Sequence, residues 1–465
     1  MNMINVRRLA VMTFLGAGML SDISAQDFSL QADTLNEARL PAQWDLQSCI
    51  DYALEQNITI RKNRVTAEST QIDVKTAKAA LFPSLSFSTS QQVVNRPYQE
   101  TSSRVSGSEI ISSNSKTSYN GNYGLNASWT IYNGSKRLKT LKQERLNNQV
   151  AELDVATSEN TIKESIAQIY IQILYAAASV RVNENTLQVS IAQRDRGQEL
   201  LNAGSIAKSD FAQLEAQVST DRYQLVTAQA TLQDYKLQLK QLLELDGENE
   251  MNVYLPKLSD ENVLAPLPAK KDVYVSALAI RPEIEASKLN VEASELGIDI
   301  AKSSYFPTIS LSAGIGTNHT SGSDFTFGEQ VKNGWNNSIG LSVSVPIFNN
   351  RQTKSAVQKA KLQRETDMLS LLDEQKALYK TIESLWLDAN SAQQRYAAAN
   401  EKLRSTQISY DLISEQFNLG MKNTVELLTE KNNLLQAQQE QLQAKYMAIL
   451  NTQLLKFYQG DKLTL

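Results

Sequence analysis

The sequence predicts an α+β membrane protein with an internal two-fold repeat. Four β-strands per chain contribute to a trimeric, 12-stranded transmembrane β-barrel, and a long α-helical coiled-coil barrel continues it. Three observations carry this reading. The 465-residue chain is written twice, two very long stretches lack proline and almost all glycine, and four segments beside those stretches alternate polar and apolar residues.

The duplication is direct. Asn202-Ala203-Gly204, followed by Asp210, returns as Asn418-Leu419-Gly420, followed by Glu426. Gly204 and Gly420 stand 216 positions apart, and so do Ile131 and Ile347 in the paired runs WTIYNG and VPIFNN. Phe82-Pro83 returns as Phe306-Pro307 at an offset of 224, so one loop differs by eight residues. Each copy reads as helix, strand pair, very long helix, tight turn and long helix. The copies are assigned to 26–245, with its strand pair at 84–132, and to 272–465, with its strand pair at 308–348. Residues 246–271 form a linker between them and make an equatorial segment. Duplicated units of this size build pseudo-symmetric tubes and channels.

The N-terminal residues read as an export signal. Arg7 and Arg8 precede an apolar run from Leu9 to Leu20, and Ile23-Ser24-Ala25 supplies a cleavage site, so 1–25 is a signal peptide. The run is too short to cross about 30 Å of hydrocarbon, and no later segment approaches the ~20 apolar residues that a spanning helix needs. Residues 27–43 are a polar tail. Cys49 is the sole cysteine, which rules out an intrachain disulfide.

Composition excludes several functions. A formal charge of −4 with no concentrated basic surface argues against nucleic acid. One His and one Cys leave little for a metal site or a nucleophile–base pair. His319 lies in a Gly/Ser/Asn-rich stretch and reads as a solvated loop residue. With no phosphate loop and no dinucleotide fingerprint, the chain is expected to be no enzyme and to need no cofactor or metal.

The long elements follow from what is missing. Within 135–246 the glycines are Gly197 and Gly204, and within 341–459 the one glycine is Gly420; neither stretch contains proline beyond Pro346. Proline breaks helices and glycine weakens them, so these are helices. Gly204 and Gly420 supply the left-handed turn that ends a helix, which makes each copy an antiparallel helical hairpin with its tip there. At 1.5 Å per residue, Gly134 to Gly204 reaches about 100 Å. Leu378, Ile382, Leu385, Ala389, Ala392, Tyr396 and Ala399 alternate spacings of four and three, as do Phe211, Leu214, Val218, Leu225 and Ala228, with Asp221 in the one polar slot. Leu428, Leu435, Leu442 and Ile449 recur every seven residues. A sustained 3.5-residue repeat is the coiled-coil signal.

The strands show a period of two. Ser84–Ser88, Tyr123–Ile131, Ile309–Ile315 and Ser338–Val345 each alternate small polar with apolar residues, as transmembrane barrel strands do. Trp129, Tyr132 and Phe348 lie at the ends of these runs, where an aromatic girdle sits. Long Ser/Thr/Gly/Asn-rich loops near 89–118 and 316–337 join the strand pairs. Four strands cannot close a barrel, and an open edge in lipid leaves backbone groups unpaired at several kcal/mol each. Three chains supply twelve strands, wide enough for a lumen lined by Ser, Gly, Thr and Asn.

These features resemble the outer-membrane efflux protein family, the TolC-like outer-membrane factors, from about Trp44 to Gly460. The marks are the duplicated unit, the Phe-Pro before each first strand, Arg281-Pro282-Glu283 opening the second copy, and the tips Leu201–Gly204 and Phe417–Gly420. The resemblance implies a homotrimer in the outer membrane of a Gram-negative bacterium that extends into the periplasm and contacts outer-membrane lipid. It would dock by its tips, Gly204 and Gly420, onto a periplasmic adaptor (membrane fusion) protein and an inner-membrane transporter. The duct so formed would be passive, serving a tripartite efflux pump or a type I secretion system. The family's periplasmic gate falls on four residues. Asp210 matches an acidic residue that restrains neighbouring helices, and Phe417 matches an aromatic residue, often Tyr, without its hydroxyl. Lys422 matches a basic residue, usually Arg, and Glu426 an acidic residue of the constriction ring. Thr429 stands where a second Asp occurs, with Glu430 beside it. The alternative is a periplasmic adaptor or another secreted coiled-coil interaction protein.

Overall fold

The computed structural model describes residues 41–98, 102–106, 109–113, 116–246, 251–256 and 263–464. The signal peptide assigned to 1–25 lies outside the described residues, as do most of the polar tail and parts of the linker. In the first copy, α1 (Leu46–Gln56) and α2 (Ile58–Ala79) lead to β1 (Ser84–Asn95). The hairpin β2 (Ser102–Ser106) and β3 (Glu109–Ser113) precedes β4 (Thr117–Asn133), and α3 (Lys136–Asn202) and α4 (Lys208–Leu242) follow. The second copy contains α5 (Lys270–Ile280), α6 (Pro282–Ser303), β5 (Thr308–Thr320), α7 (Phe327–Asn333), β6 (Asn336–Ser344), α8 (Gln352–Asn418) and α9 (Thr424–Gln459).

The single opening helix expected for each copy is two helices. Asn57 ends α1 and caps α2, its side-chain oxygen accepting the N–H groups of Thr59 (2.9 Å) and Ile60 (3.4 Å). In the second copy Pro282 occupies the first position of α6, where its missing N–H is no loss. The two very long helices match each other: α3 and α8 are both 67 residues. Each starts after two left-handed residues, Gly134 and Ser135 in one copy, Asn350 and Arg351 in the other. The residues of the α8 seam from Leu378 to Ala399 are buried, apart from half-buried Leu385, and so are Leu214 and Val218 on α4.

One stretch of α3 departs from the sequence reading. An 18-residue window has a mean hydropathy of 1.2, the length and composition of a membrane-crossing helix, where none was expected after the leader. Helix packing accounts for its apolar character: Ile166, Tyr170, Ile171, Ile173 and Leu174 are buried.

The main sheet runs β1-β4-β5-β6, every neighbour antiparallel. Register separates its faces. Leu85, Ala127, Ala313 and Ile339 form one cross-strand row, and Phe87, Leu125, Ile315 and Asn337 another, on the same face. The opposite face carries rows such as Ser86, Asn126, Gly314 and Ser338. Period-two alternation thus becomes an apolar face and a face of small polar side chains. A bulge between Thr130 and Tyr132 drops Ile131 from the ladder. β1 and β6 are the outer strands, and β6 is exposed along its whole length, with Ile339 at 83%.

The loops hold more structure than their composition suggests. Within 89–118, β1 runs on to Asn95, and β2 and β3 pair in a separate two-stranded sheet. Within 316–337, α7 is fixed by a capping box between Thr326 and Glu329. His319 is not the solvated loop residue expected from its neighbours. It sits in β5, buried, stacked on Tyr123 (5.8 Å between ring centroids) and edge-on to Phe327 of α7 (5.1 Å).

Arg281 explains the mark at the start of the second copy. Its guanidinium is buried, bonds Glu164 of α3 and Glu283 (2.8 Å each), and lies 4.0 Å from the ring centre of Tyr458. Burial holds the Glu164 carboxyl above its usual range and pushes the Tyr458 hydroxyl up to about 12. Around it, Val273 and Ala277 of α5, Ile284 of α6, Leu378 and Ile382 of α8 and Leu455 of α9 form one apolar cluster. A small separate unit pairs Trp44 with Val253 in a parallel bridge, Trp44 N–H donating to the Asn252 carbonyl and Tyr254 N–H to the Trp44 carbonyl (2.8 Å each).

Gly134 joins strand to helix where the copies meet. Its carbonyl accepts from the Ser303 hydroxyl (2.9 Å), and a Cβ there would lie 2.6 Å from the Ser303 carbonyl oxygen. Gly134→Ala adds that clash to the ~1–2 kcal/mol of a left-handed alanine, whereas at Gly204 (φ +71) a Cβ meets nothing within 4 Å. Gly134→Ala is therefore expected to lower the thermal unfolding temperature of the purified protein more than Gly204→Ala. Equal shifts would contradict the packing described.

Candidate gate at the hairpin tips

Both tips close by the same bonds. In the first, Gly204 N–H donates to the Leu201 carbonyl (2.9 Å) and Ser205 N–H to that of Leu200 (2.8 Å). In the second, Gly420 N–H donates to the Phe417 carbonyl and Met421 N–H to that of Gln416 (2.9 Å each). This is the double-bonded helix end that requires a left-handed residue, and glycine supplies it at φ +71 and +75.

The acidic residues after each tip take equivalent places, at the third position of the returning helix. The Asp210 carboxylate is half-buried and accepts the Ala207 N–H at 3.3 Å. The Glu426 carboxylate accepts the Asn423 N–H (3.2 Å), while the Asn423 side chain accepts the Glu426 N–H (2.9 Å), a reciprocal capping box. Lys422 donates to Glu426 at 2.6 Å. The Lys422 ammonium, then the Asn423 amide, hold the Glu426 carboxyl below its usual range. Lys422 and Glu426 thus meet on one hairpin, and Asp210 caps the other.

Phe417 is 2% exposed. It packs with Leu214 of the first hairpin and Leu427 of its own, flanked by Leu200, Tyr410, Ile413 and Leu428. Thr429 donates to the Val425 carbonyl of its own helix (2.7 Å), and Glu430 accepts from Ser409 of α8 (3.1 Å).

Sequence reasoning missed the most deeply buried of the described ion pairs. Lys431 of α9 donates to both Asp221 of α4 and Ser190 of α3, and Ser190 donates to Asp221. The Lys431 and Asp221 side chains are 3% and 1% exposed. Burial pulls the Lys431 ammonium below its usual range, and the Asp221 carboxylate opposes that pull. Gln217 adds a bond to Asp221 (2.9 Å), and Gln193 of α3 donates to the Tyr410 hydroxyl of α8 (2.8 Å). A signal existed. Asp221 fills an apolar slot of its seam, and Lys431, between Leu428 and Leu435, fills a slot of another with the opposite charge.

A family model described as outer membrane efflux protein matches residues 49–244 and 273–460. The outer membrane efflux protein BepC of Brucella suis is 26% identical over 294 residues, 63% of this chain and 61% of that protein. The outer membrane protein TolC of Escherichia coli K12 is 24% identical over 341 residues, 70% of this chain and 66% of that protein. The chain therefore spans less than two thirds of the length of both curated relatives. A solved structure of CusC superposes with a TM-score of 0.76 at 19% identity, covering 90% of this chain and 92% of that one. At that identity the likeness is one of fold, and it agrees with the fold class read from the sequence.

The depressed Glu426 carboxyl gives a pH dependence with a definite sign. Above its ordinary value of 4.5 the group is ionised in folded and unfolded chains alike, and its contribution to the start of α9 is complete. As pH falls through the lower folded value, that contribution is lost. Hydrogen exchange at the first turn of α9 is expected to quicken, beyond its intrinsic pH dependence, on acidification below 4.5. Glu426→Gln should be insensitive over the same range; an unchanged response in that variant would contradict the assignment.

Proposed function

The chain belongs to the outer membrane efflux protein family, and on that premise we propose that it is the outer-membrane exit duct of a tripartite efflux pump or a type I secretion system. It is a passive conduit, a homotrimer whose barrel crosses the outer membrane of a Gram-negative bacterium and whose helical tunnel enters the periplasm. Energy for export comes from an inner-membrane transporter, reached through a periplasmic adaptor.

The observation that carries this reading is a four-stranded sheet with one apolar face, one face of small polar side chains, and two outer strands. β6 of one chain pairs with β1 of the next. Three such junctions close a ring, put the Ser, Asn and Gly rows around a wet lumen, and turn the Leu85 and Phe87 rows to lipid. The helical hairpins lie below, and the tip of the second carries exposed Leu419, Met421 and Val425 for the adaptor to cover.

The gate lies at those tips. Asp210, Phe417, Lys422 and Glu426 lie within a few turns of the turning glycines, at the free ends of the hairpins. Partners for Asp210 and Lys422 across the subunit boundary restrain the closed state, and three Glu426 carboxylates around the axis favour cations.

The duct reading requires conducting pores in planar bilayers and a heat-sensitive trimer band from outer-membrane fractions; recovery as a soluble periplasmic monomer would contradict it. The faces are tested by neighbouring residues. Leu341→Arg puts a charge against lipid at a cost of about 2–4 kcal/mol and should deplete assembled protein. Ser342→Arg should assemble and reduce conductance, and equal depletion by both would contradict the faces. Asp210→Ala and Lys422→Ala should each raise single-channel conductance; unchanged conductance in both would remove them from the gate.

A further inference from the structure

We propose that Lys431, with Asp221 and Ser190, forms a further gating contact, one that pins the second hairpin to the first and sets the resting aperture of the duct. The inference rests on the duct reading, and it concerns residues that the tip motifs do not include.

Three helices meet at this point. Ser190 is on α3, Asp221 on α4 and Lys431 on α9, so a single ammonium bonds both arms of the first hairpin from one arm of the second. Lys431 lies eleven residues beyond Gly420, about 16 Å along the helix. Beside it, neutral bonds cross the same seam, Gln193 to the Tyr410 hydroxyl (2.8 Å) and Gln217 to the Asn432 side chain (3.4 Å); below it, Phe417, Leu214 and Leu427 close the gap between the hairpins with apolar contact. Such contact is non-directional and tolerates sliding. An ammonium held by a carboxylate and a hydroxyl, with water excluded, has one good geometry and loses most of its attraction when moved.

The chemistry also gives the contact two states. Docked, each charge is compensated by the other. If the second hairpin moves outward, water enters and both charges are solvated. A displacement too small to hydrate them leaves two bare charges, the costly condition. The contact therefore favours fully docked or fully separated hairpins over intermediate ones.

The test uses the full-length trimer in planar bilayers, comparing wild type, Lys431→Met, Asp221→Leu and the double variant. Each single variant leaves one buried charge unpaired, and its mean conductance should rise severalfold over wild type. The double variant puts apolar groups at both positions, keeps the hairpins docked, and should return conductance to the wild-type level or below. A merely structural role predicts less assembled trimer from the single variants with the conductance of each remaining pore unchanged. That result overturns the proposal, as does a double variant as open as the singles. Should the single charge variants fail to assemble, Ser190→Ala, which removes one hydroxyl and keeps the ion pair, carries the test: raised conductance supports the contact and wild-type conductance overturns it. If no protein conducts, wild type included, the duct reading fails; if wild type conducts and the variants match it, the latch alone fails.

Discussion

The constraint on which this fold depends is the backbone at the two outer edges of its sheet. β1 and β6 each pair on one side, and every amide facing outward needs a partner that lipid cannot supply. Charged side chains or a covering helix, the usual remedies for an edge strand in water, would spoil a lipid-facing surface. In the proposed trimer another copy of the same sheet meets the need, β6 of one chain pairing with β1 of the next.

The duplication then organises everything below the sheet. Two helices of equal length leave the barrel through the same pair of left-handed residues and turn at the same kind of glycine. They differ where contacts differ. Gly134 faces the Ser303 carbonyl and must be glycine, while its counterpart Asn350 adopts φ 52 with a side chain. The first tip is capped by a lone aspartate and the second by a full capping box with an added lysine. In the proposed gate, two unlike hairpins per chain would let one stay fixed while the other moves, an asymmetry that a strict repeat would not provide. Near the tips the two are joined by the apolar packing of Phe417, by neutral bonds such as Gln193 to Tyr410, and by the buried charges of Lys431 and Asp221, of which the apolar packing is the most permissive of sliding.

Much of this was legible in the residues. Helix length follows from the scarcity of proline and glycine, the seams from spacings of four and three, and the tips from two glycines in equivalent runs. The faces of the sheet follow from alternation, since a period of two leaves no freedom about which side chains share a side. What escaped was set by tertiary partners or by a few side-chain bonds. The break at Asn57 depends on one side chain capping two amides, inside a pattern that otherwise reads as continuous helix. His319 looks solvated among Gly, Ser and Asn because the Tyr123 and Phe327 rings that cover it come from another strand and from α7. Asp221 stood out as polar in an apolar row, but its partner lies 210 positions away and no local pattern links them.

The central claim is that neighbouring chains complete the sheet, and disulfide trapping between strands tests it most directly. With Cys49 replaced, one cysteine is introduced on β1 and one on β6, the pair is scanned along both strands, and the protein is oxidised in native outer membranes. The account predicts that some pairs give a covalent ladder ending at three chains, with every second position along a strand favoured. A ladder of another length, or no intermolecular product from any pair, would contradict it.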